Sequence, residues 1–388
     1  MTRVSWAQVC ARRLERHALS APASSAGGPA PEADVVSAVV SAMCGAHAQV
    51  ASAAELSVGL RVPGATRALV RQALWTDRTL VKSRGPRGTV HLLAAADLPM
   101  WTGALSALPL PPYEQGRDLL TPEQSEQVLA AIADALAEAE LTTAELTEQV
   151  VARTGPWAGD RVMDAFQDKW PRWIAAMAAA TRGGVLCFGP NRGRSTTYTS
   201  PARWLPGFAP MDGPAALAEL VRRYLYAYGP ATPAQFARWL SVPATFAARL
   251  FESVDLAPVT VDGTRAWVAA GDDGFPDDRP SGVRLLPYFD AYTVGCHPRE
   301  LLFPGAAADR ALARGQAGNY PVLLVDGTVG GVWHQRRSGR TIHVTVEPLR
   351  TLGARRRRAL EEQVERVGQI LEGTASLTVG AVKVGPHA

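Results

Sequence analysis

The sequence predicts an α+β protein: three tandem winged-helix motifs, then a C-terminal β-rich domain carrying a basic hairpin. Three observations predict it. The first is a repeat: Ser52-Ala-Ala-Glu55-Leu56, Thr142-Thr-Ala-Glu145-Leu146 and Thr232-Pro-Ala-Gln235-Phe236 are capping boxes of one design, with starts 90 residues apart. The second is their flanks. Helical periodicity precedes each box, at 35–44, 122–138 and 214–228, and returns after it, at 65–75, 161–177 and 243–254. The third is a two-stranded ribbon closing every unit, at 80–93, 185–199 and 256–269, with glycine in each turn.

Taken in order, residues 1–34 read as an amphipathic helix over 4–19 and a Pro/Gly/Ser/Ala link. The expected modules are 35–100, 115–205 and 212–270. From 282 to 388 the pattern changes to a β meander through Leu285-Leu286, Val322 to Val325, Val329 to His334 and Thr341 to Val346. A helix over 354–371 and a strand near 377–382 close the chain.

A length of 388 residues exceeds what one core usually serves. Net charge is only +4, and lysine occurs only at 82, 169 and 383. Arginine-rich usage of this kind also follows from a GC-rich genome, so local clusters must carry any argument for a polyanionic partner. Cys10, Cys44, Cys187 and Cys296 are too scattered for a zinc site or a disulfide framework and fit a reducing cytoplasm. No stretch has the length and apolarity of a membrane helix, and the N-terminal charges precede no apolar core, so a soluble cytoplasmic protein is expected. No glycine-rich phosphate loop follows a strand, and neither H-E-x-x-H nor G-x-S-x-G occurs, so neither cofactor nor metal is expected.

One connector stands out. Val36, Val40 and Met43 mark a buried helix face, Gly45 is a left-handed stop, and a second helix is due to start near Ala53. His47 and Gln49 therefore fall in a short extended link, where residues i and i+2 point the same way. An imidazole and a carboxamide would face one space and could share a water. His47 also continues the Val36, Val40, Met43 row by one turn, and on these residues alone a satisfied core histidine is the commoner outcome.

The wings supply the basic clusters. Arg84 and Arg87 sit at the first tip, Arg192 and Arg194 at the second, and Arg265 alone at the third. The C-terminal turn 335–340 concentrates Arg336, Arg337 and Arg340. Arginines on exposed turns suit phosphate or groove contact, although charged tips are also the usual solvated surface. Arg355 to Arg358 cover more than one helix face and read as solvated or phosphate-facing.

Several motifs together resemble a known family. His47-Ala48-Gln49, Arg61, Arg87-Gly88-Thr89-Val90-His91, Leu286-Pro287-Tyr288-Phe289-Asp290, and Val325-Asp326-Gly327 with Gly331-Val332-Trp333 look like the winged-helix DNA glycosylases typified by AlkZ and YcaQ, over roughly residues 5–385. The resemblance implies a monofunctional enzyme that excises bulky N7-alkylguanine from double-stranded DNA, often for self-resistance to an alkylating antibiotic. The family motif is Gln-apolar-Gln, or Gln-apolar-Asp, where this chain has His47-Ala48-Gln49. Gln49 matches and His47 departs. Glutamine orients water but takes no proton; histidine, with an ordinary pKa of about 6.5, can do both. The expected catalytic residues are therefore His47 and Gln49. The lesion is expected to stay in the duplex between the winged helices, with the 336–340 hairpin pressed into a groove.

Tandem modules give one chain a pseudo-symmetric clamp, so a monomer is expected. The alternatives are a dimeric winged-helix transcriptional regulator without catalysis, and a protein that sequesters lesions without chemistry.

Overall fold

The computed structural model describes residues 2–20, 33–109, 117–165 and 168–386. The expected link therefore lies outside the described residues from 21 to 32. The fold is α+β. Contacts divide the chain into two units, Met1–Asp77 with Val221–Ala388, and Arg78–Leu220. This division passes through the first expected module, between its third helix and its ribbon.

In the first unit, strand Thr2–Val4 pairs parallel with Leu256–Val261, and the Ser5–Gln8 capping box starts the Trp6–Arg16 helix. That helix buries two arginines, which is tolerable only if their donors are satisfied. Arg13 donates to the carbonyls of Gly229, His297 and Pro230 at 3.3, 2.8 and 3.1 Å, and Arg12 to those of Asp272 and Gly274. The same unit holds helices Ala33–Ala42, Ala51–Gly59 and Arg67–Trp75, and a second set, Pro233–Leu240 and Ala244–Glu252 with the ribbon Leu256–Val261/Thr264–Ala269. That ribbon turns at Asp262-Gly263, both with positive φ, as the Asp-Gly pair predicts.

The C-terminal sheet of this unit runs Val283–Leu286, Val322–Val325, Thr328–Ser338, Thr341–Pro348, Thr374–Val379. The first four strands are antiparallel. The fifth is parallel because the Ala354–Ile370 helix carries the chain back across one face. Leu285, Leu323, Trp333, Ile342, Val344 and Val346 pack there against Leu360, Val364, Val367 and Ile370. Three short helices, Ala291–Gly295, Arg299–Leu302 and Ala306–Ala311, fill a segment the meander reading left blank; Pro298 and Pro304 keep them too short for a periodic signal.

The second unit contains one five-strand run, Val90–Ala94, Leu80–Arg84, Cys187–Arg192, Ser195–Thr199, Leu141–Thr142. The first and second expected wings are thus neighbours in one sheet, bridged at Lys82 and Phe188. Helices Pro122–Ala137 and Thr143–Thr154 pack on a core of Val128, Ile132, Leu136, Leu146, Val150 and Trp173.

Two expectations are corrected. Thr142 and Thr232 form capping boxes with Glu145 and Gln235, but Ser52 and Glu55 do not. The helix starts at Ala51, so Ser52 is already inside its first turn and Val50 occupies the cap position. Glu55 is drawn instead to Arg67 and Arg71, at 3.0 and 2.6 Å, and two charge-assisted bonds outweigh one cap. Second, 161–177 is not one helix. Arg161–Asp164 and Lys169–Pro171 pair as antiparallel strands, Arg172–Ala176 is a 3₁₀ turn, and only Met177–Arg182 is α-helical. Pro171 cannot supply a helical N–H and ends any helix there.

His17 is fully buried beneath Tyr228 and Tyr292, with Nε2–H donating to the Ala227 carbonyl at 3.1 Å. Burial, aided by the nearby Arg61 charge, pushes its pKa down to about 3. The unfolded chain therefore binds this proton more readily, and the stability associated with neutral His17 is lost as pH falls from about 6.5 towards 3. Urea titrations at stepped pH should show that acid limb. His17→Gln, which keeps a donor for Ala227 but does not titrate, should flatten it.

Candidate active site

The Ala33–Ala42 helix stops because the chain turns left-handed at Cys44 (φ 57) and Gly45 (φ 94), and the Gly45 N–H reaches back to the Val40 carbonyl at 2.9 Å. Two side chains hold this helix end. Tyr228 Oη donates to the Met43 carbonyl at 2.7 Å, and Arg223 Nη1 to Ser41 Oγ at 2.9 Å. Burial holds the Tyr228 phenol well above its usual range, so it remains a donor. The chain is extended over Ala46–His47 and bends at Gln49 and Val50 before the next helix. Ala48 is buried, His47 half-buried and Gln49 exposed.

Support for His47 comes from a distant part of the sequence. The Phe289 ring lies against the imidazole with centroids 4.6 Å apart and planes inclined by 30°. Phe289 has φ 54, a left-handed conformation that a bulky residue adopts only when its surroundings enforce it. Two anchors do so: its N–H donates to the Gly318 carbonyl at 2.9 Å, and the next residue is Asp290.

Asp290 is wholly buried and fully used. Arg61 grips it with Nη1 and Nη2, both at 2.8 Å, Ser57 Oγ donates at 2.7 Å, and the Tyr292 N–H donates at 3.0 Å, so that the carboxylate caps the following helix. Neither side chain of the ion pair is exposed to solvent. Burial by itself would raise the Asp290 pKa, but the Arg61 charge and the bonds from Arg61, Ser57 and Tyr292 outweigh it and hold the carboxyl below its usual range.

Ser57 and Arg61 belong to the Ala51–Gly59 helix and the turn that ends it, and this end is clamped as well. Arg366, 4% exposed, donates to the carbonyls of Gly59, Val62 and Ala65 at 2.8 to 2.9 Å, placing a cation on the helix C-terminus. A Cβ at Gly59 would lie 2.6 Å from Ile370, so only glycine admits the Ala354–Ile370 helix here.

Comparison with known proteins identifies the setting. The family model described as DNA glycosylase AlkZ-like matches residues 40–370. The chain belongs to the AlkZ-like DNA glycosylase family. It is 31% identical over 343 residues to an interstrand DNA cross-link repair glycosylase of Streptomyces sahachiroi, spanning 85% of this chain and 88% of that one. Its fold is similar to the solved Streptomyces sahachiroi DNA glycosylase AlkZ, with a TM-score of 0.78 and 27% identity over 98% of this chain and all of the other. This AlkZ-like protein is thus a DNA glycosylase and acts on DNA, which sets aside the readings without catalysis. Among its described residues no helix is long and apolar enough to cross a membrane.

The basic clusters fare differently from one another. Arg84 Nη1 donates to the Gly88 carbonyl at 2.8 Å, and Arg87 has φ 58 in the wing turn, so both help shape it. Arg192 is tied to Glu145 and to the Glu140 carbonyl, whereas Arg194 is exposed. Arg337 donates to the carbonyls of Gly339, Leu371 and Glu372, fixing the hairpin, while Arg336 and Arg340 stand exposed beside it. No local pattern marks Phe289 or Arg366 as part of the site. A signal for the ion pair did exist: Asp290, amid Leu285-Leu286-Pro287-Tyr288-Phe289 and Ala291-Tyr292, was an acid that burial would force to find a cation.

Arg61→Met leaves Asp290 as an unpaired buried charge and should cost about 3–5 kcal/mol in urea unfolding. Removing both charges in Arg61→Met/Asp290→Leu should recover a substantial part. A double variant no more stable than Arg61→Met would show that the pair is not the energetic unit.

Proposed function

We propose that this DNA glycosylase hydrolyses the N-glycosidic bond of bulky N7-alkylguanine adducts in duplex DNA, with His47 and Gln49 at the reacting atoms. Its purpose would be self-resistance to a DNA-alkylating antibiotic. The observation that carries the reading is the anchored connector, which offers a half-buried imidazole and an exposed carboxamide from one short link between two helices. The cross-link repair activity named for the Streptomyces sahachiroi relative supports bulky alkylated lesions as the substrate class.

Alkylation at N7 puts positive charge on the purine, so the leaving group departs without a strong acid. What remains is to stabilise an oxocarbenium-like sugar and to position water. Gln49 would hold the nucleophilic water and His47 would take its proton or stabilise the developing charge. Phe289 would keep the imidazole in one orientation, so little reorganisation is needed when the lesion binds. Neither cofactor nor metal enters these steps.

The wing and hairpin arginines would take the duplex by its phosphates, at half-buried Arg84 and Arg87 and exposed Arg192, Arg194, Arg336, Arg337 and Arg340. The protein would act as a monomer. The four cysteines are buried and none is disulfide-bonded, in keeping with work in the cytoplasm.

The test is single-turnover base release from duplexes carrying 7-methylguanine or a bulky intercalating guanine N7 adduct. The wild type should release the bulky adduct. His47→Ala and Gln49→Ala should each slow release by about 10²–10⁴-fold with little change in duplex affinity. Release by His47→Ala at the wild-type rate would remove His47 from the reaction, and exclusive release of 7-methylguanine would overturn the bulky-lesion specificity.

A further inference from the structure

The C-terminal sheet has a second face that the Ala354–Ile370 helix does not cover. Strand register places its side chains in three rows: His334, Thr345 and Thr378; Arg336, His343 and Ser376; Ser338, Thr341 and Thr374. Directly paired residues point to the same side of a sheet, so these nine share one face. Their alternating neighbours Ile342, Val344, Ala375 and Leu377 enter the core on the other side. Arg336, Ser338, His343, Thr374, Ser376 and Thr378 are exposed, and the remaining three are half-buried.

We infer that this face is a docking surface for the sugar-phosphate backbone of duplex DNA. The argument is compositional and electrostatic. A solvent-facing strand ordinarily mixes both signs of charge, yet these nine positions hold six hydroxyls, two imidazoles and one guanidinium, with no carboxylate and no apolar side chain. Hydroxyls and guanidinium groups are the usual partners of phosphate oxygens, and a partner that accepts hydrogen bonds and carries negative charge fits them. His343 Nδ1 lies 3.2 Å from Ser376 Oγ, so adjacent strands present linked polar groups rather than isolated ones.

The face is also bounded. In the next row, Glu347 is already paired with Arg310 of the Ala306–Ala311 helix, which ends the open area at His334. At the other end the rows run into the hairpin turn and exposed Arg340. The open patch measures about 13 Å along the strands and about 10 Å across them. Duplex DNA presents a charge roughly every 1.7 Å of its axis, so such a patch meets several phosphates.

This inference rests on duplex DNA as the substrate and not on the lesion or on His47. Fluorescence anisotropy with an undamaged 21-bp duplex between 50 and 300 mM KCl tests it. Ser376→Glu/Thr378→Glu should weaken binding at least tenfold at 100 mM. Gln127→Glu/Ala130→Glu adds the same charge to the exposed face of another helix and should change affinity less than twofold. Ser376→Ala/Thr378→Val, which adds no charge, should still weaken binding two- to fivefold, so a misfolded glutamate variant leaves the test intact. Wild-type affinity in folded sheet variants, or equal weakening by the control pair, overturns the assignment. A wild-type dimer that the glutamate pair dissociates without loss of DNA affinity would assign the face to a second copy instead. Absence of duplex binding by the wild type would count against the proposed function itself.

Discussion

The Arg61–Asp290 pair is the constraint on which the candidate site depends. It joins the turn after the Ala51–Gly59 helix to the start of the Ala291–Gly295 helix, more than two hundred residues away in sequence. A buried ion pair contributes little net stability, since desolvation consumes most of its Coulomb energy. Its value here is geometric: the planar guanidinium fork accepts one carboxylate orientation, and that orientation fixes Phe289, the residue before it. Phe289 in turn lies on His47. The chain of contacts thus runs from a charge pair through a strained backbone position to the ring proposed to meet the substrate.

Rigidity of this kind would suit the proposed release of a cationic purine. When the leaving group is already activated, catalysis comes mostly from placing water and charge correctly, and positional error is what costs rate. The connector is held from both ends. Tyr228 and Arg223 fasten the helix before it, and Arg366 with Ile370 fastens the helix after it.

The arginines show how one residue type is divided between building the fold and facing solvent. Arg12, Arg13, Arg61 and Arg366 are buried and direct most of their donors to carbonyls, to Asp272 or to Asp290. Arg337 braces its own hairpin, and Arg336 beside it is exposed on the hydroxyl-rich face. Alternation along one strand produces that division, since neighbours point to opposite sides of the sheet.

Local order was determined by the sequence alone wherever the deciding interaction is local. Thr142 and Thr232 cap their helices because cap and partner are three residues apart, and Asp262-Gly263 turns its ribbon because those two residues tolerate positive φ. The extended connector at His47 follows likewise from Gly45 and the helix periodicities on either side. Tertiary structure decided what depends on distant partners. Glu55 is drawn from its capping box to Arg67 and Arg71, and two wings merge into one sheet through Lys82 and Phe188. The contact of Phe289 with His47 and the Arg61–Asp290 pair belong to this second class. Sequence periodicity reports which face of an element is apolar, but not which distant element will cover it, and the candidate site is assembled from such distant coverings.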